Sequence, residues 1–155
     1  MSKGQRAMSK GQRAMSKGQY AKSNLVFYFK TYDMSYKKIN ETTVYKLAFD
    51  LAMKVFTVSR NFPKEETYSL TDQVRRSSRS VCSCLAEAHR KKLYPAHFIS
   101  KVSDADMENS ETQTWLDFAL ACTYIDQEIY TQQINISEHV GSLLHHMISN
   151  PEKYK

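Results

Sequence analysis

Arg75, Arg76, Arg79 and Arg90 fall within one sixteen-residue stretch. On a helix they stand at about 0°, 100°, 40° and 60° around the axis, a single stripe. Leu70, Val74, Val81, Leu85 and Ala88 fall on the other side, at about 220° to 280°. Lys91 and Lys92 extend the charge at the helix end, where cations also suit the macrodipole. The guanidinium is a planar fork shaped for phosphate, so this stripe could bind nucleic acid. A solvated face of ion pairs has the same pattern, and both readings stand at this point. No RNP, KH, zinc-finger or helix-turn-helix sequence accompanies it, so readout of a specific base sequence is not expected.

A second line runs along 96–122. Asp104, Glu108 and Glu111 lie within about 60° of one another on a helix, and Trp115, Phe118 and Cys122 continue their stripe. A line that begins acidic and ends aromatic suits a protein contact, its acids pairing with arginines and its rings anchoring, so Asp104, Glu108, Glu111, Trp115 and Phe118 are the expected oligomer interface. Glu108 and Glu111 could in principle act as a general acid and base, but paired carboxylates are common as solvated charge, and no catalytic residue is expected. Asn109 and Gln113, in or beside the apolar stripe, are expected to form a buried hydrogen-bonded layer.

Metal and thiol chemistry find little support. Di-iron bundles use Glu-x-x-His pairs, whereas Arg90 follows Glu87, Glu111 follows Glu108 and Gly141 follows Glu138 at that spacing. His139 and His146 share a face but lie about 10 Å apart by helical rise. Cys82 and Cys84 project about 160° apart, so they read as small core-edge residues, and an odd count of three cysteines without a CxxC pair reads as reduced thiols. No metal and no cofactor are expected.

Three of the four glycines, Gly4, Gly11 and Gly18, lie in an N-terminal repeat, which leaves Gly141 alone in the remainder. A P-loop, a GxGxxG turn or a GxSxG elbow each needs two or more, so nucleotide-binding and hydrolase folds of those types are excluded, and no small-molecule substrate is expected. No run of 18 apolar residues and no apolar signal core is present, so the expectation is a cytoplasmic protein without a membrane span. Charge is uneven: residues 1–19 hold five bases and no acid, residues 20–155 hold 17 bases against 16 acids. Any electrostatic role of the domain must therefore come from segregation of charge.

The elements that would position these residues follow from periodicity. Four apolar-periodic segments, 42–61, 67–92, 96–122 and 127–149, are separated by joints marked by Pro63, Pro95 and Pro151. The first carries two apolar rows, Leu47, Leu51, Val55 and Val58, and Tyr45, Phe49, Ala52 and Phe56, so it needs neighbours on more than one side. Helices of this length with short connections predict an all-α fold, an antiparallel up-down four-helix bundle. MSKGQRA at 1–7 and 8–14, with MSKGQ at 15–19, offers no apolar stripe. Residues 1–33 are expected to be a disordered basic repeat and leader, the repeat being a nucleic-acid arm, a duplication at the gene's start or the product of a start codon set too far upstream, the aromatic run in 20–33 either adding a strand or being translated leader, and 34–155 the bundle domain.

The stretch FPKEETYSLTDQVRRSSRSVCSCLAEAHRKK, 62–92, resembles the signature of the bacterial 23S rRNA intervening-sequence proteins, through Phe62, Pro63, Glu65, Glu66, Leu70, Gln73, Arg75, Arg76, Ser80, Val81, Ala86 and Glu87. FISKVSDADMENSETQTWLDFALACTYI, 98–125, resembles the third helix of the branch with Asp-Ala-Asp and Glu-Thr-Gln-x-Trp-Leu. Cys84 stands where that family usually has Asn, and Ala88 where it has Gly. The resemblance implies an antiparallel four-helix bundle, a ring-like homopentamer, and association with RNA or a ribonucleoprotein. A structural or adaptor homo-oligomer without nucleic acid is the alternative.

Overall fold

The computed structural model describes residues 39–154. The expectations for residues 1–33, and the start of the domain at Met34, lie outside the described residues. Four helices make up the fold: α1, Thr43–Ser59; α2, Leu70–Arg90; α3, Pro95–Ala121; and α4, Gln127–Ser149. One-turn 3-10 segments at Ile39–Glu41, Lys64–Glu66 and Pro151–Tyr154 flank them, and no strand occurs among the described residues. Each helix packs on its neighbours in chain order and α4 closes on α1, while the backbones of the diagonal pairs stay apart.

The ends are set by local chemistry. Pro95 is the first residue of α3, where its missing N–H costs nothing. Asp126 caps α4 by accepting the Ile129 N–H at 2.8 Å. The start of α2 is held by Glu66, whose carboxylate accepts the Ser69 hydroxyl and the Leu70 N–H. α3 ends in a Schellman turn: the Thr123 N–H reaches the Leu120 carbonyl and the Tyr124 N–H the Ala119 carbonyl, both at 2.9 Å. Thr123 pays for this turn with φ 59°, the left-handed region in which a β-branched residue is strained.

Two apolar clusters fill the interior. One joins Val44 and Ala48 of α1, Val81 and Leu85 of α2, Phe98 and Val102 of α3, and Val140 and Leu144 of α4. The other joins Leu51 and Val55, Leu70 and Val74, and Leu116 and Ala119, with Ile129 packed against it. The first cluster draws on the beginnings of α1 and α3 and the ends of α2 and α4, the second on the opposite halves. Successive helices therefore run in opposite directions, as the periodicity predicts. Burying side chains such as Leu85, Leu116 and Leu144 contributes about 1.5 to 3 kcal/mol each.

Between the clusters lies a polar belt from α2, α3 and α4. The Asn109 amide donates to the Ser137 carbonyl at 3.0 Å, and the Ser137 hydroxyl donates back to Asn109 Oδ1 at 2.9 Å. The Thr112 hydroxyl donates to Ser77 Oγ at 2.9 Å. All four residues are buried. The expected buried layer is thus present at Asn109, but Gln113 is only half-buried and Thr112 takes its place. The α3 stripe is turned enough toward α2 to bring position 112 inward.

Candidate nucleic-acid interface

The α2 arginines spread across the outward side of their helix and divide by neighbour. Arg75 leans on α1: its Nε donates to Ser59 Oγ at 2.7 Å, and its guanidinium lies 5.2 Å from the centre of the Phe56 ring. Arg79, one turn on, lies 5.7 Å from the same ring. Two guanidinium groups thus share one aromatic ring, the cation-to-ring attraction that positions arginine well. Arg76 points toward α3, donating to Gln73 Oε1 at 3.0 Å and standing 4.0 Å from Glu111 Oε1. Its side chain is 65% exposed, so that ion pair contributes at most about 1 kcal/mol.

Arg90 closes α2 as an exposed residue, and Lys91 occupies the cap position beyond it, also exposed. Lys92 is half-buried, and burial pushes its ammonium below the usual lysine range. Of the six basic residues expected to act together, Arg76, Arg79, Arg90 and Lys91 face solvent. Charge is strongly segregated around them. Residues 39–154 hold 12 lysines and arginines against 15 aspartates and glutamates, yet α2 with Lys91 and Lys92 holds six bases against Asp72 and Glu87. α3 and α4 together hold seven acids, with Lys101 as their lone Lys or Arg.

The acidic and aromatic line on α3 makes contacts within the chain. Lys101 bridges Glu87 at 2.8 Å and Asp104 at 3.2 Å, and these two carboxylates hold its ammonium above the usual lysine range. The Trp115 Nε1–H donates to Glu111 Oε1 at 3.0 Å, and the Trp115 and Phe118 rings lie 5.8 Å apart. Glu108 is raised above the ordinary carboxylate value by burial and by the neighbouring Glu111 charge. Among the described residues, one of the expected pairings between these acids and the arginines is formed by Arg76 and Glu111. Phe118 remains 53% exposed on a groove of about 580 Å³ with Leu70, Gln73, Trp115 and Cys122.

Burial pushes the Cys82 thiol up to about 11, which makes it a poor nucleophile, and Cys84 is raised by burial as well. Among the described residues, no three His, Cys, Asp or Glu side chains converge as a metal site would require.

Residues 40–146, most of the described bundle, match the family model of the 23S rRNA-intervening sequence protein. The chain belongs to that family. A solved structure similar to it is a Bacteroides thetaiotaomicron protein of unknown function from the S23 ribosomal protein family. The two share 26% identity and a TM-score of 0.62, over 68% of this chain and 95% of that one. No curated protein matches the chain. In this member of the family, the departures at Cys84 and Ala88 fall at a half-buried position and inside the core.

Periodicity did not reveal that the second apolar row of α1 lies beside the arginines. Tyr45, Phe49 and Phe56 were visible at helical spacing, but a pattern of spacing within one helix does not say which neighbour each side meets. The rings of Tyr45 and Phe49 stack at 6.3 Å with planes 15° apart, and Phe49 is 53% exposed.

Among the described residues, no helix is long and apolar enough to cross a membrane.

Proposed function

We propose that this protein is a non-catalytic, oligomeric bundle of the bacterial cytoplasm that contacts RNA, free or within a ribonucleoprotein, through the basic face of α2. One observation carries the reading: the bases of a net-acidic bundle are concentrated on α2 and its cap, and Arg76, Arg79, Arg90 and Lys91 are exposed there. Phosphate contact by arginine needs no base-specific geometry, in keeping with the lack of any base-reading motif. A homo-oligomer, a pentamer by family resemblance, would repeat the face around a ring and turn weak contacts into avidity. Its subunits would meet through Trp115 and Phe118, whose exposed apolar surface suits a contact.

The adaptor alternative draws on the 4.0 Å approach of Arg76 to Glu111, which places an α2 arginine in an ion-pairing role. A double charge reversal, Arg76→Glu with Arg79→Glu, separates the two. RNA binding is measured against salt and native mass is measured in parallel, in the full chain and in a chain beginning at Met34, which lacks the basic repeat. Loss of binding with unchanged mass, and a salt slope shallower by about 0.7 per lost contact on single strands, supports the RNA reading. Dissociation of the oligomer supports the adaptor, and a wild type that binds no RNA at low salt removes the RNA reading.

A further inference from the structure

The arginines of α2 and the aromatic row of α1 form one surface, and its composition says more than positive charge alone. Arg79 lies over the Phe56 ring and makes no hydrogen bond or ion pair among the described residues, so its N–H donors are held in place and unspent. Arg75, fixed on the same ring, uses only its Nε, on Ser59. Two turns back along α1, about 10.5 Å by helical rise, Phe49 exposes half its surface and stacks on Tyr45. A protein interior has no use for the exposed face of Phe49, which points away from a helix whose other side fills both core clusters, while Tyr45 is half-buried against the first of them.

Resting on the RNA reading above, we infer that the bound RNA is single-stranded, with an unpaired base stacking on the exposed Phe49 ring, which Tyr45 backs, while Arg79 and Arg75 take the flanking phosphates. Paired bases in an A-form helix are stacked on each other and offer no free face to a ring, whereas unpaired bases do. Stacking on aromatic rings beside a cationic groove is the sequence-tolerant way to hold a single strand. Charge favours this occupant over a second copy of the chain by its apolar face, because Phe56, on the same side of α1 as Phe49, is bordered by two guanidinium groups with donors to spare.

The test uses the full chain with two labelled probes at low salt, an oligouridylate of about a dozen nucleotides and an RNA duplex of the same length, at a strand length within single-strand site sizes. Phe49 is varied to Ala, Leu and Trp, each checked for helical content and native mass. Expected results are tighter binding to the oligouridylate than to the duplex, and a loss of about fivefold or more on the oligouridylate for both Phe49→Ala and Phe49→Leu. Phe49→Trp restores binding and adds fluorescence that the oligouridylate quenches. The duplex affinity moves less than about twofold. Arg79→Gln weakens both probes, because phosphates are common to them.

The inference is overturned while RNA binding survives if the duplex binds as well as the oligouridylate, or if Phe49→Leu behaves as wild type, since apolar area would then matter and not a ring face. It is also overturned if Phe49→Ala changes the native mass, which would assign this face to a second copy. Failure of both probes to bind overturns the RNA reading and this inference together.

Discussion

Asn109 of α3 and Ser137 of α4 bind each other twice, amide to carbonyl at 3.0 Å and hydroxyl to amide oxygen at 2.9 Å, with both side chains shut off from solvent. Neither bond can be replaced by water without opening the core, so each residue depends on the other. Asn109→Ala is expected to cost about 2 to 4 kcal/mol, from lost bonds and a cavity. Replacing both partners, Asn109→Leu with Ser137→Ala, is expected to recover at least half of that loss, because no polar group is then left unmet. Urea unfolding of the wild type, Asn109→Leu, Ser137→Ala and the double variant measures the coupling, and additive losses would refute it.

Gly141 stands one turn beyond Ser137 on the same side of α4. A Cβ there would meet the Asn109 amide nitrogen at 3.4 Å and Asp106 Oδ1 at 3.8 Å, ordinary contact distances, and its φ is not left-handed. Gly141→Ala is therefore expected to stabilise the bundle by up to about 1 kcal/mol through helix propensity. Gly141→Val adds branches that press on the Asn109 amide and is expected to destabilise. Equal thermal midpoints for Ala and Val would contradict this account.

Thr123 is exposed, and its side chain bonds only to the Cys122 carbonyl, at 2.6 Å. Thr123→Gly is expected to raise stability by roughly 1 kcal/mol, the release of left-handed strain outweighing the added freedom of the unfolded chain. Thr123→Val keeps the strain and gains nothing. A thermal melt in which Gly lowers the midpoint would show that the turn is set by contacts of the threonine instead.

His89 is buried at the end of α2, and desolvation together with the charges of Lys92 and Arg90 lowers its pKa below the ordinary imidazole value of 6.5. The unfolded chain takes up a proton near 6.5, the folded chain only at lower pH. Stability is therefore fully present above about pH 6.5 and falls as the pH drops toward the lowered value, with a slope of at most about 1.4 kcal/mol per pH unit from this group. Urea midpoints at pH 7.5 and 5.5 should differ in the wild type and converge in His89→Leu. A slope that survives in His89→Leu would assign it to another group.

The bundle was legible in the sequence because its helices are long and their punctuation is strong. The 127–149 segment matches α4 residue for residue, and Pro95 lies within one residue of the expected start of α3. Helix ends of 42–61 and 67–92 were overrun because Ser59 and Leu70 are followed or preceded by residues that keep the period while the chain turns through Lys64–Glu66. The arginine stripe was legible as a stripe, since angle around one axis follows from spacing. The sharing of Phe56 by Arg75 and Arg79, and the exchange of Gln113 for Thr112 in the belt, depend on how one helix is rotated against another, which small differences in packing decide.

The polar belt passes through α2, α3 and α4 but takes no residue from α1. α1 is tied near its C-terminal end, where Ser59 accepts from Arg75, and its N-terminal half is held by the apolar contacts that its own Val44 and Ala48 make in the first core cluster. Apolar contact is non-directional, so α1 is expected to open first, peeling from Thr43 toward Phe56 while the hydrogen-bonded belt keeps the other three helices together. In native-state hydrogen exchange the amides near the start of α1 would be the first of the core helices to trade with solvent, and those around Thr112 among the last.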